Sequence, residues 1–126
     1  HPPPVLMGPD GAIGRLLPTG TVIGLFEEWD CRIQEIDLKP GDTLVMFTDG
    51  VAEAFNTDFE EFGEERIVDL IRARAELPAV TMVEALVEAV QRHSGPAQSD
   101  DFTVVVARGR RPGINPEPIG LRRVAS

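Results

Sequence analysis

The chain has 126 residues, of which 42% are hydrophobic, and a formal net charge of −9 with a pI near 4.6. This size and composition predict one globular domain with a modest core. The negative charge excludes nucleic acid and anionic membrane surfaces as direct partners, because both repel an acidic protein. The single cysteine, Cys31, cannot form an intrachain disulfide, and no apolar run is long enough for a membrane span or a signal sequence. We therefore expect a reducing, cytoplasmic setting.

The first half of the chain has the pattern of short strands and turns. The prolines of "HPPPVLM" start an extended segment, and "GPDG" predicts a hairpin turn after it. Prolines and glycines interrupt "RLLPTGTVIGLF", which predicts brief strand pieces. The alternation of Trp29, Cys31 and Ile33 predicts a further strand with a bulge near Gln34 and Glu35, and places Cys31 in the core. "KPGD" then predicts a hairpin turn, and "TLVMF" a central strand covered on both faces.

The second half changes to a helical period. Apolar residues at helical spacing predict an amphipathic helix over residues 64–77 that ends before Pro78. Thr81 and Glu84 have capping-box spacing, so a second helix is expected from there to Gly95. Its predicted apolar stripe consists of Val83, Leu86, Val87 and Val90. "DFTVVVARG" predicts a closing strand. Residues 110–126 have three prolines and no period, which predicts a linker or disordered tail after a domain of residues 1–109.

Several strands, two helices and a closing strand predict an α+β fold, with an antiparallel sheet covered by a helical pair. Within it, "MFTDGVAE" ends an apolar strand on an acid and a glycine. Asp49 could deliver a carboxylate to a metal ion there, with Gly50 permitting a sharp turn. The alternative is that it caps a short helix or makes an Asx-turn, which is the favoured interpretation when such a motif stands alone.

A second acidic cluster precedes the closing strand. Asp100 and Asp101 are adjacent, so their side chains should face opposite ways and at most one should enter a given site. Two acid-bearing strand ends in one small domain favour a hard cation such as Mg²⁺ or Mn²⁺. We therefore expect the carboxylates of Asp49 and Asp100 to converge on one ion. His93, in the last turn of the second helix, is interpreted as a favourable charge at the helix end rather than as a chemical group.

Five segments occur in an order that resembles a known family: "HPPPVLM", "GTVIGLF", "LKPGDTLVMFTDGVAEAFN", "FGEERI" and "SDDFTVVVAR". The chain is similar, over about residues 1–108, to the stage II sporulation protein E-like serine phosphatases, a bacterial branch of the metal-dependent PPM phosphatases. The combination of GD, TDG, FG-E-R and DD-x-T in register is specific, although each piece alone is not.

The resemblance implies a sandwich of antiparallel sheets flanked by helices, with two Mn²⁺ or Mg²⁺ ions held by aspartates. Asp49, with Gly50 beside it, matches the metal-binding TDG motif, and Asp100 matches the metal-binding Asp of DD-x-T. Asp101 matches a variable neighbour and ranks lower as a metal ligand. The family's remaining ligands would precede His1, so the N-terminal part of the fold is expected to lie outside this chain. His1 matches the G-H-P-P segment and is given no catalytic role.

Two functions from different classes follow. The first is a protein serine/threonine phosphatase in which metal-activated water hydrolyses a phosphorylated anti-sigma factor antagonist in bacterial signalling. Its partners would be that phosphoprotein and an upstream sensor or regulatory domain, and a dimer is left open. The second is a non-catalytic or degenerate phosphatase-like module that binds partners through its helical pair. On the first reading this chain alone lacks a complete site.

Overall fold

The computed structural model describes residues 1–95 and 101–110. Four strands form one antiparallel sheet: β1 (Val5–Met7), β2 (Ile13–Arg15), β3 (Thr43–Phe47) and β4 (Val104–Arg108). Their order is β2-β1-β3-β4. Three helices complete the fold: α1 (Asp49–Ala52), α2 (Gly63–Ala73) and α3 (Ala79–Ser94). The predicted α+β class, with an antiparallel sheet covered by a helical pair, is confirmed.

The core lies between the helices and one face of the sheet. Alternate strand residues Val5, Met7, Val45 and Phe47 point into it, as the period of two in a strand requires. Helices α2 and α3 cover these side chains with residues at helical spacing: Ile67, Val68, Ile71, Met82, Leu86 and Val90. The buried stripe of α3 therefore includes Met82 and Ala85, while the predicted members Val83 and Val87 are only half-buried.

The opposite face of the sheet is open among the described residues. Met46 on β3 is 38% exposed and Val105 on β4 is 44% exposed. The expectation that "TLVMF" is covered on both faces is therefore wrong for the described residues, although β3 does occupy a central position between β1 and β4. An apolar strand predicts burial, but the covering layer has to be present to provide it.

The hairpin predicted at the start of the chain is confirmed. Val5 pairs with Arg15 and Met7 with Ile13, and the turn is closed by a hydrogen bond from Gly8 N to Ala12 O at 2.9 Å. The edge strand β2 is joined to the start of α2 by an ion pair between Arg15 and Glu64.

The strands predicted between residues 15 and 38 are wrong beyond the end of β2. The structure has only one isolated bridge there, between Gly20 and Cys31, and Ile33 is 88% exposed. Cys31 is likewise exposed rather than in the core. Extended backbone becomes a strand only when a neighbour accepts its hydrogen bonds, and no described strand lies beside this segment. The "KPGD" turn itself forms, with Asp42 N donating to Lys39 O at 2.9 Å, but no strand precedes it to make a hairpin.

The helix boundaries differ from the prediction at two places. Helix α2 ends at Ala73 instead of continuing to residue 77, and the chain then turns, with Arg74 N donating to Ile71 O at 3.3 Å and Leu77 N to Arg74 O at 3.0 Å. Helix α3 begins at Ala79 with Pro78 as its N-cap, and Pro78 O accepts a hydrogen bond from Met82 N at 3.0 Å. Thr81 therefore lies inside the helix and is not its cap. The predicted end at Gly95 is confirmed, with φ of 66°.

No helix within residues 1–95 and 101–110 is long and apolar enough to cross a bilayer. The predicted linker or tail falls on residues 111–126, apart from Arg110, and so lies outside the described part of the chain.

Candidate metal centre

The candidate site begins where β3 ends. Phe47 is buried and fixes the end of the strand in the core. Thr48 has extended backbone (φ −82°, ψ 161°) and is the N-cap of α1, so Asp49 is the first residue of that short helix. The Asp49 side chain is 64% exposed and is therefore open to solvent at the edge of the sheet. The interpretation of Asp49 as the cap of the short helix is therefore wrong, since Thr48 holds that position, whereas its role as a metal ligand stays a prediction.

The segment that leads into β4 lies directly against this turn. Strand β4 pairs with β3 down to Phe47 opposite Val104, and two hydrogen bonds extend the contact past the strand ends. Thr48 N donates to Thr103 O at 3.1 Å, and Thr103 N donates to Thr48 Oγ1 at 2.9 Å. The Thr48 hydroxyl is thus committed to the neighbouring segment and does not cap α1.

Gly50 is required by the closeness of the two segments. A Cβ atom on Gly50 would lie 2.9 Å from the carbonyl oxygen of Asp101 and 3.5 Å from Cβ of Phe102. The first distance is shorter than real side chains show, so a larger residue would displace one of the segments. The Asp-Gly turn after β3 and the acidic segment before β4 are therefore packed backbone to backbone.

His1 lies near the site without making a defined bond. Its Nδ1 is 3.9 Å from Asp49 Oδ1, and both side chains are mostly exposed, at 74% and 64%. An open cleft of about 330 Å³ runs from His1 along the open face of the sheet to Thr48 and Thr103. The cleft is lined mainly by the N-terminal prolines and by Met46 and Val105.

Two of the three predicted metal ligands, Asp49 and Asp101, lie in the described part of the chain. Asp49, Gly50 and Asp101 are close together through their backbones, and Asp101 is exposed. Asp100 lies outside the described residues, so convergence of its carboxylate with that of Asp49 stays a prediction. Among the residues that are described, no three or more histidine, cysteine, aspartate or glutamate side chains are grouped so that they could hold a metal ion.

Two contacts were not predicted from the sequence, one at the candidate site and one at the end of α3. The paired hydrogen bonds between Thr48 and Thr103 depend on the register of β3 against β4, which a single sequence does not reveal. His93 does lie in the last turn of α3, but its Nε2 is 2.9 Å from Glu60 O, so it holds a loop as well as lying at the helix end.

Comparison with known proteins decides the family. The family model of stage II sporulation protein E (SpoIIE) matches residues 1–110. The chain belongs to the SpoIIE family. Among curated proteins, protein IcfG of Synechocystis sp. is 27% identical over 105 residues, which is 83% of this chain and 17% of IcfG.

Solved structures agree on the fold. The SiaA-PP2C domain of Pseudomonas aeruginosa is 29% identical with a TM-score of 0.65, over 85% of this chain and 43% of that one. The Mn-presoaked phosphatase domain of SpoIIE from Bacillus subtilis has 22% identity and a TM-score of 0.64, over 91% of this chain and 49% of that domain. The fold is therefore that of PP2C (PPM) phosphatase domains. This chain spans about half the length or less of these structures, so it corresponds to part of such a domain.

Proposed function

We propose that this SpoIIE-family chain contributes to a metal-dependent protein serine/threonine phosphatase. The observation that carries the proposal is the contact between the Asp49-Gly50 turn and the Asp101 segment, since it brings two acidic chain segments together at one edge of the sheet. Family membership supports the hydrolytic chemistry. The shared site would be completed by residues outside the described part of the chain.

The residues at this edge offer the oxygen ligands that a hard divalent ion prefers, but too few of them to complete its coordination. Carboxylate and carbonyl oxygens are the ligands that Mn²⁺ and Mg²⁺ prefer, and no described sulfur or imidazole cluster competes for a softer metal. Asp49 and Asp100 would hold the metal, with Asp101 in a lesser role. Two such ions, when bound, would activate the attacking water and offset the charge of the phosphoryl oxygens.

The chain's own residues have distinct tasks in this proposal. Asp49 presents an exposed carboxylate two residues after Phe47, the last residue of β3, which is buried in the core. Thr48 and Thr103 hold the two segments in register through hydrogen bonds. Gly50 permits the closest approach of the two backbones. On this proposal the sheet would pre-organise the site, and pre-organisation of this kind gives a catalytic arrangement its precision.

The partners are inferred from the resemblance. We take the substrate to be a phosphorylated anti-sigma factor antagonist in bacterial signalling, with an upstream sensor or regulatory domain controlling the phosphatase. The chain's net charge of −9 would oppose a phosphorylated substrate, so neutralisation by bound metal would be needed for the two to meet.

Substitution of Asp49 by Asn tests the proposal in the complete phosphatase domain. Asn keeps the volume and one oxygen but removes the charge that holds a divalent ion, so turnover of a phosphoserine substrate should fall by about 10²-fold or more. The Mn²⁺-dependent rise in melting temperature should fall with it, whereas the metal-free melting temperature should stay level or rise as carboxylate repulsion is relieved. Asp69→Asn, on an exposed position of α2, is the matched control. Wild-type turnover together with a wild-type Mn²⁺ response in Asp49→Asn would reduce Asp49 to a turn residue.

The second function weighed from the sequence is a non-catalytic or degenerate phosphatase-like module. The described residues contain no complete group of ligands, which is what a degenerate, partner-binding phosphatase-like module would also show. Phosphate release separates the two, because a complete domain that binds no Mn²⁺ and releases no phosphate would be the regulatory module.

A further inference from the structure

The connection between α1 and α2 is a closed loop, referred to below as the 54–62 loop (Ala54–Phe62). Its base is fixed in the core, since Phe62 N donates to Ala54 O at 2.8 Å and both side chains are buried. Asn56 organises the interior. Its Oδ1 accepts from Asp58 N and Glu60 N at 2.9 Å each, and its backbone N donates to Glu60 O at 3.0 Å. The loop therefore has a defined shape before any partner arrives.

Phe59 stands at the tip of this loop in an unfavourable conformation. Its φ is 60°, and among the described residues no other non-glycine has a positive φ. Its side chain is 87% exposed. A bulky residue rarely adopts the left-handed region, and here it gains no burial in return. The conformation closes the turn, since Phe59 N donates to Asn56 O at 3.1 Å, but glycine would serve the turn better, so an exposed phenylalanine at this position indicates a role beyond the stability of the fold.

The loop is attached to the helical side of the molecule. The His93 Nε2 of α3 is 2.9 Å from Glu60 O, and its ring meets Phe62 edge-on with centroids 5.4 Å apart. Arg66 of α2 donates from Nη1 to the carbonyl oxygens of Glu61 and Phe62 at 2.7 and 2.8 Å. The open face of the sheet, which carries Met46 and Val105, lies on the opposite side of the molecule. A further layer of the domain that packed on this face would therefore not cover Phe59.

The loop is within reach of a protein bound at Asp49. From Asp49 to Ala52 the helix rises about 1.5 Å per residue over three residues, and from Ala52 to Phe59 an extended chain spans at most about 3.5 Å per residue over seven residues. The distance between Asp49 and Phe59 is therefore at most about 29 Å. A standard interface covers about 800 Å² per partner, which is a disc about 32 Å across. A protein substrate with its phosphoserine at Asp49 is therefore large enough to span the distance to Phe59.

Charge indicates the surface that this substrate would present. Three exposed acids, Asp58, Glu60 and Glu61, flank Phe59 along the loop, and exposed Glu53 precedes the loop. An exposed aromatic side chain on a hydrogen-bonded loop with acidic neighbours is complementary to an apolar pocket bordered by lysine or arginine. We propose that Phe59 is a docking anchor that inserts into such a pocket on the phosphoprotein substrate, away from the phosphoserine itself. This rests on the phosphatase function proposed above.

The test uses the complete phosphatase domain that contains this chain, with Phe59→Gly, Phe59→Tyr and a control, Val80→Ala, which trims an exposed apolar residue on α3. Two substrates are compared: a phosphorylated anti-sigma factor antagonist and p-nitrophenyl phosphate, which is too small to reach the loop. Phe59→Gly should raise KM for the phosphoprotein at least tenfold with kcat little changed, as loss of an interface anchor does. Turnover of p-nitrophenyl phosphate should be unchanged, and the melting temperature should stay level or rise because glycine accepts the backbone conformation. Phe59→Tyr should restore most of the phosphoprotein KM.

The alternative outcomes separate the two proposals. A wild-type domain that hydrolyses neither substrate contradicts the phosphatase function itself. A wild-type domain that hydrolyses both, with Phe59→Gly leaving the phosphoprotein KM unchanged, overturns the anchor alone. An equal loss on both substrates also overturns it, since the ring would then support the active site. A halved molecular mass of Phe59→Gly in light scattering, without an effect on KM, would make a second copy of the chain the occupant and would likewise overturn it.

Discussion

The contact between Gly50 and the Asp101 segment gives the sharpest prediction, which is the effect of Gly50→Ala. The new Cβ would lie 2.9 Å from Asp101 O, and ordinary contacts begin at 3.4 Å, so one segment has to move by the difference of about 0.5 Å. The Asp101 segment is exposed and lies outside β4, so it is the part that yields. Metal sites tolerate errors of about 0.2 Å in ligand distance. A shift of this size should therefore damage metal binding.

Global stability should respond much less. Alanine in a helix is favoured over glycine by up to about 1 kcal/mol, whereas overpacking costs about 1–3 kcal/mol when the surroundings are rigid. Since the neighbouring segment can move, we expect the two effects to cancel to within about 1 kcal/mol in the free energy of unfolding. Gly50→Ala should thus fold normally and still bind Mn²⁺ about 10-fold to 100-fold more weakly, the range found when a group that orients ligands is altered.

The assay pairs Mn²⁺ titration calorimetry with a thermal melt in metal-free buffer, on the complete phosphatase domain. Gly14→Ala is the matched control, because its Cβ would meet only Leu6 O, at 3.9 Å, on the exposed edge strand. If Gly50→Ala binds Mn²⁺ with wild-type affinity and melts at the wild-type temperature, then the packing of the two segments has no part in metal binding.

Two further predictions concern the same edge of the sheet. Thr48→Val removes the hydroxyl that accepts from Thr103 N, so Mn²⁺ affinity should fall several-fold, while Thr48→Ser should behave as wild type because it keeps the oxygen; equal affinities in calorimetry for the Val and Ser variants would contradict this. The 126-residue chain on its own should bind Mn²⁺ only weakly and should release almost no phosphate from a phosphoserine peptide, since the described residues offer too few ligands; strong turnover by the purified chain would show that its own residues suffice.

The elements that the sequence predicted correctly are those with local causes. The β1–β2 hairpin follows from its prolines and the "GPDG" turn, and the end of α3 follows from Gly95, which adopts a positive φ. The strands β3 and β4 follow from their apolar and β-branched runs. In each case the signal and the structure it produces lie within a few residues of each other.

The failures have causes that are not local. Residues 28–38 alternate as a strand should, but the described sheet offers them no neighbour, so Ile33 and Cys31 are exposed. The sequence interpretation gives Pro78 only as the stop of α2, whereas it is also the N-cap of α3, three residues before the expected cap at Thr81. Both errors come from judging a segment without the partner that completes it.

Some features of the candidate site could likewise be predicted from the local sequence, and others could not. The position of Asp49 at the end of an apolar strand could be predicted, because Asp-Gly marks the turn. The contacts of Thr48 and Gly50 with residues 101–103 could not, because they depend on register and on backbone distances. The conformation of Phe59 has no sequence signal at all, since a phenylalanine gives no reason to expect a left-handed backbone.

The hydrogen bond from Thr103 to Thr48 joins residues 55 positions apart, and this has a consequence for the order of folding. Closing a loop of that length costs about 3.5 kcal/mol of chain entropy, which is recovered only after α2 and α3 have shortened the path between the two strands. The two acidic segments should therefore meet after the rate-limiting step of folding. A cation bound between them would then slow unfolding while leaving the rate of folding nearly unchanged, so metal would prolong the lifetime of the native state without hastening its formation.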